Sequence, residues 1–134
     1  MQVLVADDDP AYLNLLTCLL EEWGFEVVAA RDGMEAWAIL QQSQAPLLAI
    51  LDWMMPGLDG YEVCLKVRVA KGVITPYILL MTGSQRKEDL LKALVAGADD
   101  YLLKPFEPLD LKIRLRTAKR IIDLEEQLAS SAIS

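Results

Sequence analysis

The sequence predicts an α/β fold in which helices cover both sides of a parallel five-stranded sheet. Short apolar runs alternate five times with longer segments of helical period, which is the pattern of strand-helix units. The third and fourth runs are apolar on both faces, as expected of strands buried between two helix layers. At 134 residues the chain has room for one sizeable core but not for two domains of ordinary size.

The first two strand-helix units follow directly from this pattern. A strand is predicted over Val3 to Ala6, and a helix over Ala11 to Trp23, where leucines repeat at helical spacing. Gly24 supplies the left-handed residue at which such a helix ends. The second strand, Glu26 to Ala30, is less apolar and suits an edge of the sheet, and a helix over Met34 to Gln41 follows it.

The third and fourth units carry the most apolar strands. They are predicted over Leu47 to Leu51 and over Tyr77 to Met81. The helices after them span Tyr61 to Ala70 and Lys87 to Ala96, and Gly97 ends the second of these.

The last unit has a short strand, Tyr101 to Leu103, and an unusually long helix. Pro108 suits the first helical position, and good helix formers continue to about Ala129. Beyond the part that can cover the sheet, three apolar residues follow a 3-4 spacing: Ile121, Leu124 and Leu128. This resembles a short coiled-coil seam, but one heptad leaves a dimer, a linker and a solvated extension all open.

The composition excludes several classes of function. The net charge of −7 and the pI near 4.5 should repel phosphate backbones and anionic headgroups, so neither nucleic acid nor membrane is expected as a direct partner. The absence of histidine removes serine-histidine and cysteine-histidine nucleophiles and histidine metal sites. Cys18 and Cys64 fall in apolar helical patterns and are expected to be buried free thiols. Without a signal peptide or a spanning segment, a cytoplasmic protein is expected.

Carboxylates gather where two of the predicted strands end. Asp7 and Asp8 follow the first strand and Asp52 follows the third, so they share a crevice if these strands are neighbours. An aspartate run can also serve as a turn and helix cap, but Asp9 before Pro10 fills that role alone. Ionised acids in one crevice need a cation, and an all-oxygen site with few protein ligands suits Mg²⁺.

The fourth and fifth strands end on a hydroxyl and an ammonium. Thr82 precedes Gly83, and Lys104 precedes Pro105. Each is weak evidence alone, but together with the acids they supply what an acyl phosphate requires: a carboxylate nucleophile, a metal and two donors for phosphoryl oxygens.

Four motifs, in order, carry a family resemblance: "VLVADDDP", "LDWMMPGLDG", "LLMTGS" and "AGADDYLLKPF". With Thr82 30 residues and Lys104 52 residues after Asp52, residues 1–118 resemble the receiver domain of a bacterial two-component response regulator. The resemblance implies a flavodoxin-like doubly wound sheet of order 2-1-3-4-5 with five helices. Residues 119–134 are then a helical extension toward a possible effector domain.

The resemblance also implies roles for individual residues. Asp52 becomes the phosphoryl acceptor, and the Mg²⁺ ligands become Asp7, Asp8, Asp52 and the main-chain carbonyl of Met54. Thr82 and Lys104 bond the phosphoryl oxygens, the bond between Lys104 and Pro105 is cis, and Tyr101 turns inward as Thr82 moves. Tyr101 is also explained as an ordinary half-buried aromatic. Met54 and Ser84 border the phosphoryl group, and the apolar Met54 is expected to hinder its hydrolysis.

The resulting hypothesis is a phosphorylation-dependent signalling switch that takes a phosphoryl group from a sensor histidine kinase or phosphotransfer protein. It would catalyse only its own phosphorylation and dephosphorylation, and its last helix could form a homodimer. One alternative is a Mg²⁺-dependent phosphatase with an aspartate nucleophile, which needs a second acid where Met54 stands. The other is an unphosphorylated receiver-like binding module, which would usually lack part of the acid, threonine and lysine set.

Overall fold

The computed structural model describes residues 1–70 and 75–133 of the chain. Five strands and five helices alternate along it in the order β1 (Gln2–Ala6), α1 (Pro10–Glu22), β2 (Glu26–Ala30), α2 (Gly33–Leu40), β3 (Leu48–Asp52), α3 (Gly60–Val69), β4 (Tyr77–Thr82), α4 (Lys87–Ala96), β5 (Asp100–Leu103) and α5 (Pro108–Ile133). Across these residues, none of the helices combines the length and the apolar character that a membrane crossing needs. Ser134, the last residue of the predicted extension, lies outside the described part.

The strands form one parallel sheet of order β2-β1-β3-β4-β5. This confirms the predicted fold class and the edge position of β2. The order reverses between β1 and β3, which pair directly, with Ala6 opposite Leu51. The carboxyl ends of these two strands therefore open onto one crevice, where ligands bind in folds of this kind.

Two apolar layers enclose the sheet. Leu4 and Ala6 face a cluster formed with α2, α3 and α4, whereas Val3 and Val5 face a cluster formed with α1 and α5. Both β3 and β4 are buried along their whole length. Full burial of one large aliphatic side chain contributes about 1.5–3 kcal/mol, so these two strands contribute much of the free energy that stabilises the sheet.

The element boundaries agree with the predicted ones to within one or two residues, except that α5 runs four residues past Ala129 to Ile133. Asp52 and Thr82 are the last residues of their strands rather than the first residues beyond them. The ladder continues this far because the Trp53 amide donates to the Met81 carbonyl at 2.9 Å, and the Lys104 amide donates to the Thr82 carbonyl at 2.8 Å.

The prediction of two buried cysteines is half correct. Cys64 is buried, but Cys18 is exposed. Helix α1 buries Leu16 and Leu20 against the sheet. Cys18 lies two residues from each of them, which places it about 200° around the helix and toward solvent. The number of leucines in this segment hid which of its faces is buried.

Candidate functional site

Three carboxylates meet at the carboxyl ends of β1 and β3. Asp7, Asp8 and Asp52 each offer a carboxylate oxygen, and these oxygens lie within 4.8 Å of one another. Asp7 is fully buried and Asp52 is 7% exposed, whereas Asp8 is open to solvent. Asp9 lies outside the group, because its side chain caps α1 by accepting from the Ala11 amide at 2.9 Å. The cap role predicted for Asp9 is thus confirmed, and the other three acids lie together in the crevice.

Lys104 reaches into the same crevice from the end of β5. Its Nζ atom donates to Asp7 Oδ2 at 2.8 Å and lies 3.3 Å from Asp52 Oδ1. The peptide bond between Lys104 and Pro105 is cis, as the resemblance implied. One ammonium group therefore joins the two most buried acids of the site.

The electrostatics of the crevice favour a proton or a cation on Asp52. Burial raises the pKa of Asp52 to about 6; the positive charge of Lys104 opposes this shift, and the negative charge of Asp7 adds to it. Burial also disfavours the charged form of Lys104. The hydrogen bond to Asp7 and the charges of Asp52 and Asp7 together outweigh that effect, so the pKa of Lys104 is raised. Burial is thus the main reason why the charged form of Asp52 stays unfavourable despite the neighbouring Lys104.

The turn after Asp52 is fixed by a glycine and a capping box. The Gly60 amide donates to the Trp53 carbonyl at 2.9 Å, and a Cβ atom on Gly60 would lie 2.5 Å from the Asp52 carbonyl oxygen. Asp59 and Glu62 then close the first turn of α3, each side chain accepting from the other residue's amide. The chain thereby folds back closely on Asp52 and leaves Met54, whose side chain is 75% exposed, at the rim of the site.

Thr82 is held by the loop that follows it. It is 5% exposed, and its Oγ1 atom accepts from the Ser84 amide at 3.0 Å. The Ser84 hydroxyl donates to Asp89 Oδ2 at 2.6 Å, which connects this loop to the first turn of α4. A threonine at a strand end is ordinary, but here its hydroxyl oxygen is oriented by a hydrogen-bonded loop.

Sequence reasoning missed Tyr12 and Asp89. The ring of Tyr12 has its centroid 4.0 Å from Lys104 Nζ and 6.1 Å from the centroid of Phe106. A cation over an aromatic face is stabilised by about 0.5–2 kcal/mol. The signal available for Tyr12 was its place in the first turn of a helix that begins at the crevice; Asp89 gave no signal of its own.

Tyr101 lies on β5 as a half-buried residue, with the guanidinium carbon of Arg114 5.8 Å from its ring centroid. Arg114 also contacts Asp100 at 2.7 Å and Asp110 at 3.2 Å. Burial disfavours its charge, yet the hydrogen bond and charge of Asp100, helped by Asp110, raise the pKa of Arg114. Movement of Tyr101 with Thr82 stays a prediction.

The donor set fits a hard divalent cation. Every candidate ligand is an oxygen, two of the three acids are nearly or fully buried, and the third faces solvent, where water can complete the coordination. The pKa of Asp52 is raised mainly by burial and further by the charge of Asp7, so its ionised form would be stabilised by a cation. The arrangement can therefore hold a cation such as Mg²⁺ beside a carboxylate nucleophile.

Comparison with known proteins gives one consistent result. The family model described as the response regulator receiver domain matches residues 3–116. The "Probable transcriptional regulator ycf27" of Porphyridium aerugineum is 38% identical over 122 residues, which are 91% of this chain and 49% of that protein. The "DNA-binding response regulator MtrA" of Mycolicibacterium smegmatis is 37% identical over 119 residues, 89% of this chain and 50% of that protein. The chain thus spans about half the length of these curated relatives.

Solved structures agree. A putative response regulator from Chloroflexus aurantiacus superposes with a TM-score of 0.81 at 35% identity, covering 87% of this chain and 95% of that one. The receiver domain of the Francisella response regulator 1452 gives 0.81 at 34% identity, covering 90% and 98%. The chemotaxis protein CheY4 of Vibrio cholerae gives 0.79 at 31% identity, covering 87% and 97%.

The relatives correct one prediction. The exclusion of nucleic acid as a partner is wrong, because the relatives include proteins named as DNA-binding response regulators and as probable transcriptional regulators. The exclusion relied on the net charge of −7 of these 134 residues. That charge carries no information about the half of each relative that lies outside the match.

Proposed function

Because the chain belongs to the response regulator receiver domain family, we propose that Asp52 accepts a phosphoryl group and that Mg²⁺ is the ion required for this. As a receiver domain of two-component response regulators, it is a phosphorylation-dependent signalling switch. The observation that carries the residue assignment is the convergence of three carboxylates within 4.8 Å, with the Lys104 ammonium against two of them.

We assign the ion to the three acids and to one main-chain oxygen. Asp7, Asp8 and Asp52 would hold Mg²⁺ through carboxylate oxygens, and Met54 would contribute its main-chain carbonyl. When bound, the ion supplies positive charge that stabilises the phosphoryl oxygens. The raised pKa of Asp52, which comes mainly from burial and is increased by the charge of Asp7, supports this assignment, because a bound cation would stabilise the ionised carboxylate.

The phosphoryl transfer itself is a substitution at phosphorus. An Oδ atom of Asp52 attacks the phosphorus of a phosphohistidine on a partner protein, and the new P–O bond forms as the P–N bond breaks. The electron pair of the P–N bond leaves with the imidazole nitrogen, which then takes a proton. Asp52 ends a strand buried along its whole length, so the nucleophile is presented by a rigid element.

Two donors receive the phosphoryl oxygens. Lys104 already lies 3.3 Å from Asp52 Oδ1, so it needs only a short shift to donate to an oxygen on that atom. Thr82 Oγ1 accepts from the Ser84 amide, which leaves its hydroxyl proton available for donation. The phosphoryl group adds about −1.5 to −2 of charge and would draw both donors inward, rearranging the surface around them.

This chemistry also indicates the phosphoryl donor, the location and the output of the protein. The donor is a sensor histidine kinase or phosphotransfer protein, and the domain catalyses its own phosphorylation and dephosphorylation. Since histidine kinases take their phosphoryl group from ATP, we place the domain in the cytoplasm. We take residues 1–118 as the receiver and residues 119–134 as a helical extension. By analogy with its DNA-binding relatives, the output of the whole protein is nucleic-acid binding.

The test is direct phosphorylation with a small donor. With acetyl phosphate and Mg²⁺, intact mass spectrometry should show an adduct of about 80 Da on the wild type, the mass of one phosphoryl group. The adduct should be lost in Asp52→Asn and when Mg²⁺ is chelated. A wild type that forms no adduct with acetyl phosphate and no complex with beryllofluoride would refute the assignment, as would an adduct that persists in Asp52→Asn.

Asp9→Asn is the matched control. Asp9 neighbours the acidic group but lies outside it, and asparagine caps a helix about as well as aspartate. This variant should form the adduct at close to the wild-type rate. A loss equal to that of Asp52→Asn would show that any nearby change abolishes the reaction, and the specific role of Asp52 would fail.

A further inference from the structure

Helix α5 presents an apolar strip that faces away from its own domain. The side chains of Ile113, Ile121, Leu124 and Leu128 are 56%, 36%, 50% and 70% exposed. At 100° per residue they fall within a strip about 80° wide, which also contains Thr117. The residues through which α5 contacts the domain core are Leu111, Leu115, Ala118 and Ile122. Their face is centred about 130° from the strip, so the strip has no partner within the described part of the chain.

The charges of α5 are divided between its two halves. Residues 108–120 carry five basic side chains and one acid, whereas residues 121–133 carry three acids and no base. The bases Arg116 and Arg120 and the acid Asp123 are all exposed and flank the apolar strip on one side. A helix with this distribution is complementary to a second copy of itself in the opposite direction.

We propose that α5 pairs with α5 of a second copy of this chain in an antiparallel, two-fold symmetric arrangement centred near Ile121. In this register Ile113 lies opposite Leu128 of the partner subunit, and Thr117 lies opposite Leu124 of the partner subunit. A two-fold interface repeats each contact twice, so one strip supplies both sides of it.

The flanking charges fit the same register. Asp123 of the partner subunit lies between Arg116 and Arg120, and the two-fold axis repeats this pairing. On the other flank, Glu125 of the partner subunit lies near Arg114. Charge-assisted pairs of this kind fix the orientation of helices more than they add affinity.

A parallel pair is the competing arrangement. It would gain one match, Arg120 with Glu125 of the partner subunit, at the edge of a short seam. It would also place the two basic halves side by side and the two acidic halves side by side, and like charges repel. In the parallel pair Ile113 would lie opposite Ile113 of the partner subunit, and Arg116 would have no acidic residue opposite it. The charge distribution therefore favours the antiparallel pair.

Cysteine cross-linking separates the two orientations. In a Cys18→Ser background, which removes the exposed native thiol while Cys64 stays buried, single Ile113→Cys and Leu128→Cys chains are oxidised separately and as a mixture. The antiparallel pair predicts a disulfide between positions 113 and 128 in the mixture, identified by peptide mass. It predicts little dimer from Leu128→Cys alone, because the two copies of position 128 would lie about 22 Å apart, or 15 residues at 1.5 Å each.

The outcomes are decisive in both directions. Efficient cross-linking of Leu128→Cys alone, without the mixed product, would show the parallel pair and overturn the proposal. A chain that sediments as a monomer at every concentration and forms no mixed disulfide would also overturn it. The test uses unphosphorylated protein, so its result does not depend on the role proposed for Asp52.

Charge reversal provides a second, independent measurement. Arg116→Glu should weaken self-association at least tenfold in sedimentation equilibrium, and adding Asp123→Arg to it should recover most of that loss. Arg86→Glu makes the same change of charge at an exposed site on the loop before α4 and should leave association unchanged. If Arg86→Glu weakens association as much as Arg116→Glu does, the effect is one of net charge and the proposed pairing is wrong.

Discussion

At the scale of single residues, the site is a balance between one cation and several anions. Lys104 lies 2.8 Å from Asp7 and 3.3 Å from Asp52, and Tyr12 covers it at 4.0 Å from the ring centroid. Asp52 nevertheless retains a raised pKa, because burial costs its charged form more than Lys104 returns. The domain thus holds its proposed nucleophile in a destabilised ionised state, which a bound cation or a phosphoryl group would relieve.

The first expectation concerns stability and pH in metal-free buffer. Burial raises the pKa of Asp52 from 3.8 to about 6, so the folded protein binds this proton more tightly than the unfolded chain does. Stability from Asp52 is therefore present below about pH 4 and is lost as the pH rises to about 6, by on the order of 1–3 kcal/mol. Asp52→Asn cannot ionise and therefore avoids the cost of a buried charge, so it should be more stable than the wild type by that amount at pH 7.5.

Urea unfolding of both proteins from pH 4 to pH 8 measures this difference. The advantage of Asp52→Asn in unfolding free energy should grow between pH 4 and pH 6 and stay constant above it. An advantage that is independent of pH, or that is largest at pH 4, would contradict a destabilising charge on Asp52.

The second expectation concerns Lys104 as a competitor of the metal. Its ammonium occupies the space between Asp7 and Asp52, so Lys104→Gln should bind Mg²⁺ about 3- to 10-fold more tightly, or by about 0.7–1.4 kcal/mol. The same variant should be phosphorylated more slowly, because it lacks a donor for the phosphoryl oxygen. Calorimetric titration with Mg²⁺ gives the affinity, and Lys87→Gln, at the start of α4, is the control.

Weaker Mg²⁺ binding by Lys104→Gln would mean that the lysine supports the metal site rather than competing with it. A change of the same size in Lys87→Gln would mean that only the net charge of the chain matters.

At the scale of elements, the turn from β3 into α3 sets the position of Asp52. A Cβ atom on Gly60 would lie 2.5 Å from the Asp52 carbonyl oxygen and 3.1 Å from the Trp53 Cα atom, both on the main chain. Gly60→Ala must therefore displace the end of β3 or the start of α3. We expect a loss of about 2–4 kcal/mol in unfolding free energy, together with slower phosphorylation of Asp52.

Gly83→Ala is the matched control for this expectation. Gly83 also follows a strand of the site, but a Cβ atom there would meet nothing within 4 Å. Its unfolding free energy should stay within about 0.5 kcal/mol of the wild type. Equal destabilisation by both substitutions, measured in urea, would show that chain flexibility rather than close approach to Asp52 explains the effect.

The sequence predicted elements better than it predicted contacts. Strands ending on Asp52 and Thr82 were readable because apolar runs stop at polar residues. The contact of Tyr12 with Lys104 joins residues 92 positions apart, and no local pattern encodes such a pair. Cys18 was predicted on the wrong face because the leucines of α1 span an arc of about 160°, and Cys18 lies beside its outer edge at Leu15, which is itself 44% exposed.

At the scale of the whole molecule, strand order creates the site. Asp7 and Asp52 are 45 residues apart in the chain, yet they lie at one edge because β1 pairs with β3. The family resemblance predicted this order, whereas composition did not. Net charge was a poor guide at this scale: the acidity that excluded nucleic acid belongs to a region that matches only about half of each DNA-binding relative.

Binding of Mg²⁺ should be visible in the stability of the entire domain, because the acids that hold it come from two strands of one cooperative sheet. At a concentration 100 times the dissociation constant, a ligand specific for the folded state adds about 2.7 kcal/mol, which raises Tm by roughly 5–10 °C in a chain of this size. NaCl at matched ionic strength controls for screening of the net charge of −7 and should raise Tm far less. The response to Mg²⁺ should shrink in Asp52→Asn, which retains the other acids but loses one charge. If NaCl reproduces the Mg²⁺ effect, or if Asp52→Asn responds in full, the acids of this crevice do not form the magnesium site, since the stabilisation would then come from general screening or from another part of the surface.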